Sequence, residues 1–150
     1  FRLAAELHDE GKREQCWQEA AGNPNFDCPV AKSGARGMNP RRLNGYRHEF
    51  GSLVRGIDKL AGEDRDLVLH LIASHHGRGR PHFEPRTALA HEIPELSPAE
   101  IAYRFARLQR KFGHWGLAWL ESILMAADAK GSQDLADIED EDQEDDDEQA

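Results

Sequence analysis

Apolar residues recur three and four positions apart through most of the chain, in segments that end at glycine or proline. This spacing places apolar side chains on one face of an α-helix. No segment alternates apolar and polar residues in the way that a half-buried strand does. The sequence therefore predicts an all-α fold, with helices over 2–7, 13–21, 47–60, 64–74, 97–111 and 115–129.

Helix-capping and helix-breaking residues support these boundaries. Ser97 precedes Pro98, and Glu100 follows two positions later, which is typical of a capped helix start. Gly113 separates the last two predicted helices. Residues 22–44 and 77–96 are rich in Gly, Pro and Arg and are predicted to form long loops.

Charge divides the chain into two parts. The formal net charge is -9, but residues 134–150 hold eleven of the 28 acidic residues and no Lys or Arg. The remainder carries 19 basic side chains against 17 acidic ones, so its charge is close to neutral. We expect one domain over 1–132, incomplete at its N-terminus, and a disordered acidic tail over 133–150.

Composition also excludes some classes of protein. No apolar run approaches the roughly 20 residues of a membrane span, so no membrane partner is expected. Cys16 and Cys28 form no CxxC pair and are expected to be free thiols, which is typical of a cytoplasmic protein. The three tryptophans are expected in the core, at positions Trp17, Trp115 and Trp119.

Four groups of metal-ligand residues fall at or near predicted helix ends, where side chains from different helices can meet. They are His8-Asp9, His48, His75-His76 and Asp128. Each could instead be a surface or helix-end residue, and it is their order along one helical chain that indicates a site. Imidazole and carboxylate together suit divalent transition metals such as Mn, Fe, Co or Ni, with Mg possible.

A carboxylate can bridge two ions, whereas a neutral imidazole cannot. Asp9 is therefore the candidate bridge between two ions about 3.5–4 Å apart, an arrangement that can clamp a phosphate and activate water. Lys12 follows Asp9 by three residues and could neutralise charge on the phosphate. Asp9 and Lys12 are thus the candidate catalytic residues.

The motifs around these residues resemble those of a known family. Segment 8–12 (His-Asp-Glu-Gly-Lys) is similar to the core motif of the HD superfamily. Segments 47–53, 72–77 and 127–132 resemble the Arg-His-Glu, paired-histidine and late Ala-Asp elements of the CRISPR-associated HD nucleases. The resemblance covers about residues 3–132.

This resemblance implies a helical HD domain that cleaves single-stranded DNA in type I CRISPR interference, together with a helicase and the interference complex. It implies a first metal held by His8, Asp9 and Asp128, and a second held by Asp9 and the three histidines His48, His75 and His76. The family has one more histidine upstream of the His-Asp pair, and no histidine precedes His8 here.

The second predicted loop supplies candidate substrate contacts. Arg78 and Arg80 could bind the DNA backbone, and His82 could stack on a base. A flexible, solvated loop is the alternative interpretation of the same residues.

Two other functions remain open at this point. One is an HD phosphohydrolase that acts on nucleotides, with the same metals but a closed pocket. The other is a degenerate HD domain that serves as a binding module and does no catalysis.

Overall fold

The computed structural model describes residues 1–34, 37–81 and 93–148, with side chains as far as residue 134. This part of the chain is helical and contains no strand, which confirms the predicted all-α class. Its α-helices are α1 (Arg2–Leu7), α2 (Gln15–Ala21), α3 (Pro40–Leu43), α4 (His48–Gly56), α5 (Arg65–Ser74) and α6 (Pro98–Glu148). Short 3-10 turns cover Glu10–Arg13, Ile57–Lys59 and Pro94–Leu96.

The helix ends follow the local sequence signals. Gly22 ends α2 in the left-handed conformation with φ 80°, and its N–H donates to carbonyls of the last turn. The hydroxyl of Ser97 accepts a hydrogen bond from the Glu100 amide at 3.3 Å, so Ser97 caps α6 as predicted. Gly113, with φ 73° and ψ 165°, breaks the helical conformation between the two segments of α6.

Helix α5 is the centre of the fold. Seven of its ten residues, Val68 to Ser74, are buried, because α1, α4 and α6 all pack against it. A helix that is apolar around most of its circumference is stable only in such a surrounded position. The core is completed by Leu7 of α1, Leu53 of α4 and Leu124 of α6.

The second segment of α6 packs through one face only. Leu117, Glu121 and Leu124 lie on the buried face. Trp115 and Trp119 lie outside it and are 89% and 65% exposed, so their expected place in the core is wrong. Helical periodicity shows that a helix has apolar side chains, but tertiary packing decides which of its faces is covered. Trp17 on α2 is buried, as expected.

Gln18 on α2 organises the segment that follows the helix. It is fully buried, and its side-chain amide donates to the carbonyls of Lys12 at 2.6 Å and Val30 at 2.9 Å. Its oxygen accepts from the Val30 amide at 2.9 Å. These bonds hold Val30 against the 3-10 turn that carries Lys12.

The acidic segment was expected to be disordered from residue 133, and this is not confirmed. The backbone of α6 is helical through Glu148 and crosses the predicted boundary at 132 without a break. One local cause is an ion pair between Lys130 and Asp134, one helical turn apart. The four glutamates after residue 133 also favour helix.

Two smaller expectations can also be compared with the structure. Cys16 and Cys28 are both free thiols, as predicted. Among the described helices, none combines the length and the apolar character that crossing a membrane requires.

Candidate metal centre

Three of the predicted histidines meet where α4 begins and α5 ends. His48 is the first residue of α4, and His75 and His76 directly follow the last residue of α5. One ring nitrogen from each lies within 4.8 Å of the others, and the Nε2 atoms of His48 and His76 are 3.1 Å apart. Three imidazoles in this arrangement form a set suited to a transition metal.

The other three predicted ligands form a second group beside the first. His8 and Asp9 follow α1, and Asp128 reaches them from α6, across 120 positions of sequence. His8 Nε2 lies 3.3 Å from Asp128 Oδ1, and one ligand atom from each of the three residues lies within 4.8 Å of the others. The group combines one imidazole with two carboxylates.

Asp9 faces both groups at once. Its Oδ1 lies 3.3 Å from His48 Nε2, and its Oδ2 lies 3.5 Å from His8 Nε2. The two oxygens of one carboxylate thus point toward different sets of imidazoles. The Asp9 carboxylate therefore contacts a residue of each group.

Close packing of the His-Asp segment on α4 creates this geometry. A Cβ at Gly11 would lie 2.7 Å from the Ser52 amide nitrogen and 2.8 Å from the His48 carbonyl carbon, so only glycine fits there. The Gly11 amide donates to the Ser52 hydroxyl at 2.8 Å, which itself donates to the His8 carbonyl at 2.6 Å. The Tyr46 hydroxyl donates to the Gly11 carbonyl at 2.7 Å.

Backbone carbonyls set the tautomers of two of the histidines. His8 Nδ1 lies 2.7 Å from the Ala5 carbonyl, and His75 Nδ1 lies 2.7 Å from the Ile72 carbonyl. A carbonyl oxygen can only accept, so each Nδ1 carries the proton and each Nε2 keeps its lone pair. The Nε2 of His75 is buried and has no hydrogen-bond partner among the described residues.

The electrostatics of the site favour the ligand forms of its residues. Burial, and more weakly the neighbouring imidazoles, lower the pKa of His75 to about 4. Burial and His48 also lower the pKa of His76. Burial alone would raise the pKa of Asp9, but hydrogen bonds from His48 and Lys12 outweigh it and hold the pKa of this carboxyl well below its usual range. Neutral imidazoles and an ionised carboxylate are the forms that bind metal.

Lys12 lies beside the Asp9 carboxylate. Its Nζ donates to Asp9 Oδ2 at 2.7 Å. A cleft of about 330 Å³ opens next to this pair and is also lined by His8, Asp128 and a second lysine, Lys32. Lys32 is a site residue that sequence reasoning missed, because it reaches the cleft only through the loop that Gln18 holds.

The predicted substrate residues do not gather at this cleft. Arg78 is half-buried, and no ion pair joins it to another described residue. Arg80 forms an ion pair with Glu121 and lines a separate cavity of about 210 Å³ with Phe105. His82 lies outside the described residues.

Two buried glutamates near the site were also missed. Glu49, next to His48, is 1% exposed, and its Oε2 lies 3.8 Å from His48 Nδ1. Its position directly after the histidine was a signal that the sequence offered. Glu121 binds His70 on α5 at 2.7 Å. That pairing joins residues 51 positions apart, and no local pattern reveals it.

The chain was compared with known protein families, with curated proteins and with solved structures, and no match was found.

Proposed function

We propose that the chain is a metal-dependent phosphodiesterase of the HD class that cleaves single-stranded DNA endonucleolytically in CRISPR interference. The single observation that carries the metal-dependent part is the convergence of six residues on two adjacent groups with Asp9 between them. The choice of DNA, and of a CRISPR helicase and interference complex as partners, is supported by the resemblance of the four motifs.

The residues present fit a pair of divalent ions. His75 offers a buried, unpartnered Nε2, which is a costly arrangement unless another group binds that nitrogen. His48 and His76 face each other through two Nε2 atoms that can bind a metal but cannot both accept a hydrogen bond from each other. A donor set of imidazoles and carboxylates favours Mn, Fe, Co or Ni over Ca.

When bound, two ions supply polarisation of the phosphoryl oxygen and of the attacking water. The chain's own residues do the rest. Asp9 contacts both ligand groups and keeps them side by side. Its negative charge offsets part of the positive charge of the two ions and of Lys12. Lys12 and Lys32 place two cations along the cleft that contains His8 and Asp128, where they can neutralise a phosphodiester backbone.

The openness of the site favours a polymer over a mononucleotide. Lys12 borders two clefts, one of about 330 Å³ with Asp128 and one of about 190 Å³ with Glu6 and Arg13. Asp9 lines both clefts, so the space beside it exceeds what a single enclosed pocket would offer. A nucleotidase would instead enclose its substrate on most sides.

The experiment is cleavage of circular single-stranded DNA by the purified chain with Mn²⁺, Co²⁺ or Ni²⁺. A circle has no ends, so any loss of circles reports endonucleolytic cutting. We expect EDTA to abolish cleavage and Asp9→Ala to reduce it to background with little change in melting temperature. Asp58→Ala, which removes an exposed carboxylate outside both groups, should cut like the parent.

Three results would contradict the proposal in different ways. Equal cutting by the parent and Asp9→Ala would refute the assignment of the site. Release of phosphate from mononucleotides without cleavage of DNA would identify a nucleotide phosphohydrolase instead. Absence of bound metal from the parent would indicate a binding module without catalysis.

A further inference from the structure

A buried carboxylate on α6 joins two residues that flank the paired histidines. Glu121 is 6% exposed, and both of its oxygens are engaged. Its Oε1 lies 2.7 Å from the Nε2 of His70, which is itself 1% exposed. Its Oε2 accepts from the guanidinium of Arg80, whose side chain is 45% exposed.

The two partners of Glu121 bracket the metal-ligand histidines in sequence. His70 lies five positions before His75, and Arg80 lies five positions after it. His70 belongs to α5, whereas Arg80 belongs to the segment that leaves the helix. Glu121 therefore holds both the helix that leads into His75 and the chain that leads away from it.

The segment between them folds back onto α5. Gly77 and Gly79 adopt positive φ angles of 76° and 72°, which reverse the direction of the chain. A Cβ at Gly79 would lie 2.7 Å from the Cβ of Ala73, so the returning chain touches the last turn of α5. The loop is thus attached at two points, to α5 by backbone packing at Gly79 and to α6 by the ion pair of Arg80.

We propose that Glu121 is a positioning residue, which acts through His70 and Arg80 to fix the ring positions of His75 and His76 for metal binding. This inference rests on the proposed function, because it concerns the same metal centre. It assigns Arg80 to the loop closure and not to the DNA backbone.

The charge of Glu121 supports a specific role over simple packing. A buried carboxylate is unfavourable unless charged or hydrogen-bonding partners surround it, and an apolar residue would fill the same space without that requirement. A carboxylate, unlike an apolar side chain, can bring a guanidinium to a defined point on α6. The position of Arg80, and with it the exit of the chain from His76, depends on that charge.

The test is Mn²⁺ affinity measured by isothermal titration calorimetry in the absence of nucleic acid, which no DNA-binding role of Arg80 can affect. We expect Arg80→Ala to weaken binding roughly tenfold, at the low end of the range for residues that orient metal ligands. Arg80→Lys keeps the cation and should restore most of the affinity. Hydrogen exchange of the metal-free protein should be faster over residues 72–79 in Arg80→Ala than in the parent.

Arg107→Ala is the matched control. Arg107 is 41% exposed and also joins α5 to α6, through Asp66 at 2.9 Å, but at the end of α5 that is far from the histidines. We expect this variant to lose stability while keeping the Mn²⁺ affinity of the parent.

The outcomes separate the two proposals. A parent that binds no Mn²⁺ would refute the metal centre and this inference together. A parent that binds Mn²⁺ no more tightly than Arg80→Ala does would overturn this inference alone. Equal weakening by Arg80→Ala and Arg107→Ala would also overturn it, because the effect would then be one of general stability.

Discussion

Gly11 is the position where a single methyl group should damage both the fold and the site. Its φ is not in the left-handed region, so alanine would be unfavourable there because of contact and not because of backbone strain. The added Cβ would lie 2.8 Å from the His48 carbonyl carbon, whereas ordinary contacts begin at 3.4 Å. The obstructing atoms are backbone atoms of α4, which cannot rotate away as a side chain can. The His-Asp segment must therefore move away from α4.

The cost of this movement can be worked out from the contacts that it disturbs. Overpacking of this kind costs about 1–3 kcal/mol. Separation also weakens the Gly11–Ser52 and Tyr46–Gly11 hydrogen bonds, at about 1 kcal/mol each. We expect Gly11→Ala to lose about 2–5 kcal/mol, which for a chain of this size lowers the melting temperature by roughly 5–20 °C. The same displacement separates Asp9 from His48, so Mn²⁺ affinity should fall as well.

Circular dichroism melting and calorimetric titration with Mn²⁺ measure the two effects. Gly116→Ala is the control, because a Cβ there meets its nearest neighbour, the Phe112 Cβ, at an ordinary 3.6 Å. Alanine is the better helix former by about 0.5–1 kcal/mol, so this control should melt at the same temperature or slightly higher. A Gly11→Ala protein that melts within about 2 °C of the parent and binds Mn²⁺ equally well would refute the close approach of the two segments.

Three further predictions concern single side chains. Ser52→Ala leaves the buried Gly11 amide without its acceptor, so the free energy of unfolding measured with urea should fall by about 1–3 kcal/mol. An unchanged unfolding midpoint would argue against that hydrogen bond. Burial raises the pKa of Glu121, but His70 and Arg80 outweigh burial and lower the pKa below the ordinary value of 4.5. The ionised carboxylate therefore stabilises the fold above that ordinary value. This contribution is lost as the pH falls through the folded-state pKa. The stability difference between the parent and Glu121→Gln should therefore shrink from pH 6 to pH 3, and a difference that grows on acidification would reverse the sign of the argument. Trp115→Gln should change the free energy of unfolding by no more than about 0.5 kcal/mol, since the ring is 89% exposed, and a loss above about 2 kcal/mol would show that the ring is packed.

Local patterns predicted every α-helix except α3, which lies inside the predicted loop 22–44, because local chemistry largely determines where a helix begins and ends. Ser97 and Gly22 act within one turn of their own position, and the structure shows each of them capping a helix. The burial of Trp115 and Trp119 depends instead on what packs against α6. Nothing within a helical turn of either residue carries that information.

The candidate site divides in the same way. The six proposed ligands were selected because each stands at or near a predicted helix end. The structure brings them together, with Asp128 inside α6, which continues to Glu148, and their binding of metal stays a prediction. The ion pair of Arg80 could not be inferred, because its partner Glu121 lies 41 positions away on α6. Lys32 was missed for a similar reason, since Gln18 on α2 decides where its loop lies.

The buried stripe of α6 determines where this chain can change its length. Leu117, Glu121, Leu124 and Asp128 are spaced by four, three and four residues, so they share one side of the helix. One inserted residue within this stripe would rotate everything after it by about 100° and carry Asp128 away from His8. An insertion between Lys32 and α3 would leave Lys32 and the Val30 amide that Gln18 binds in place. We therefore expect relatives of this chain to vary in length between Lys32 and α3 and to keep the interval from Glu121 to Asp128 constant.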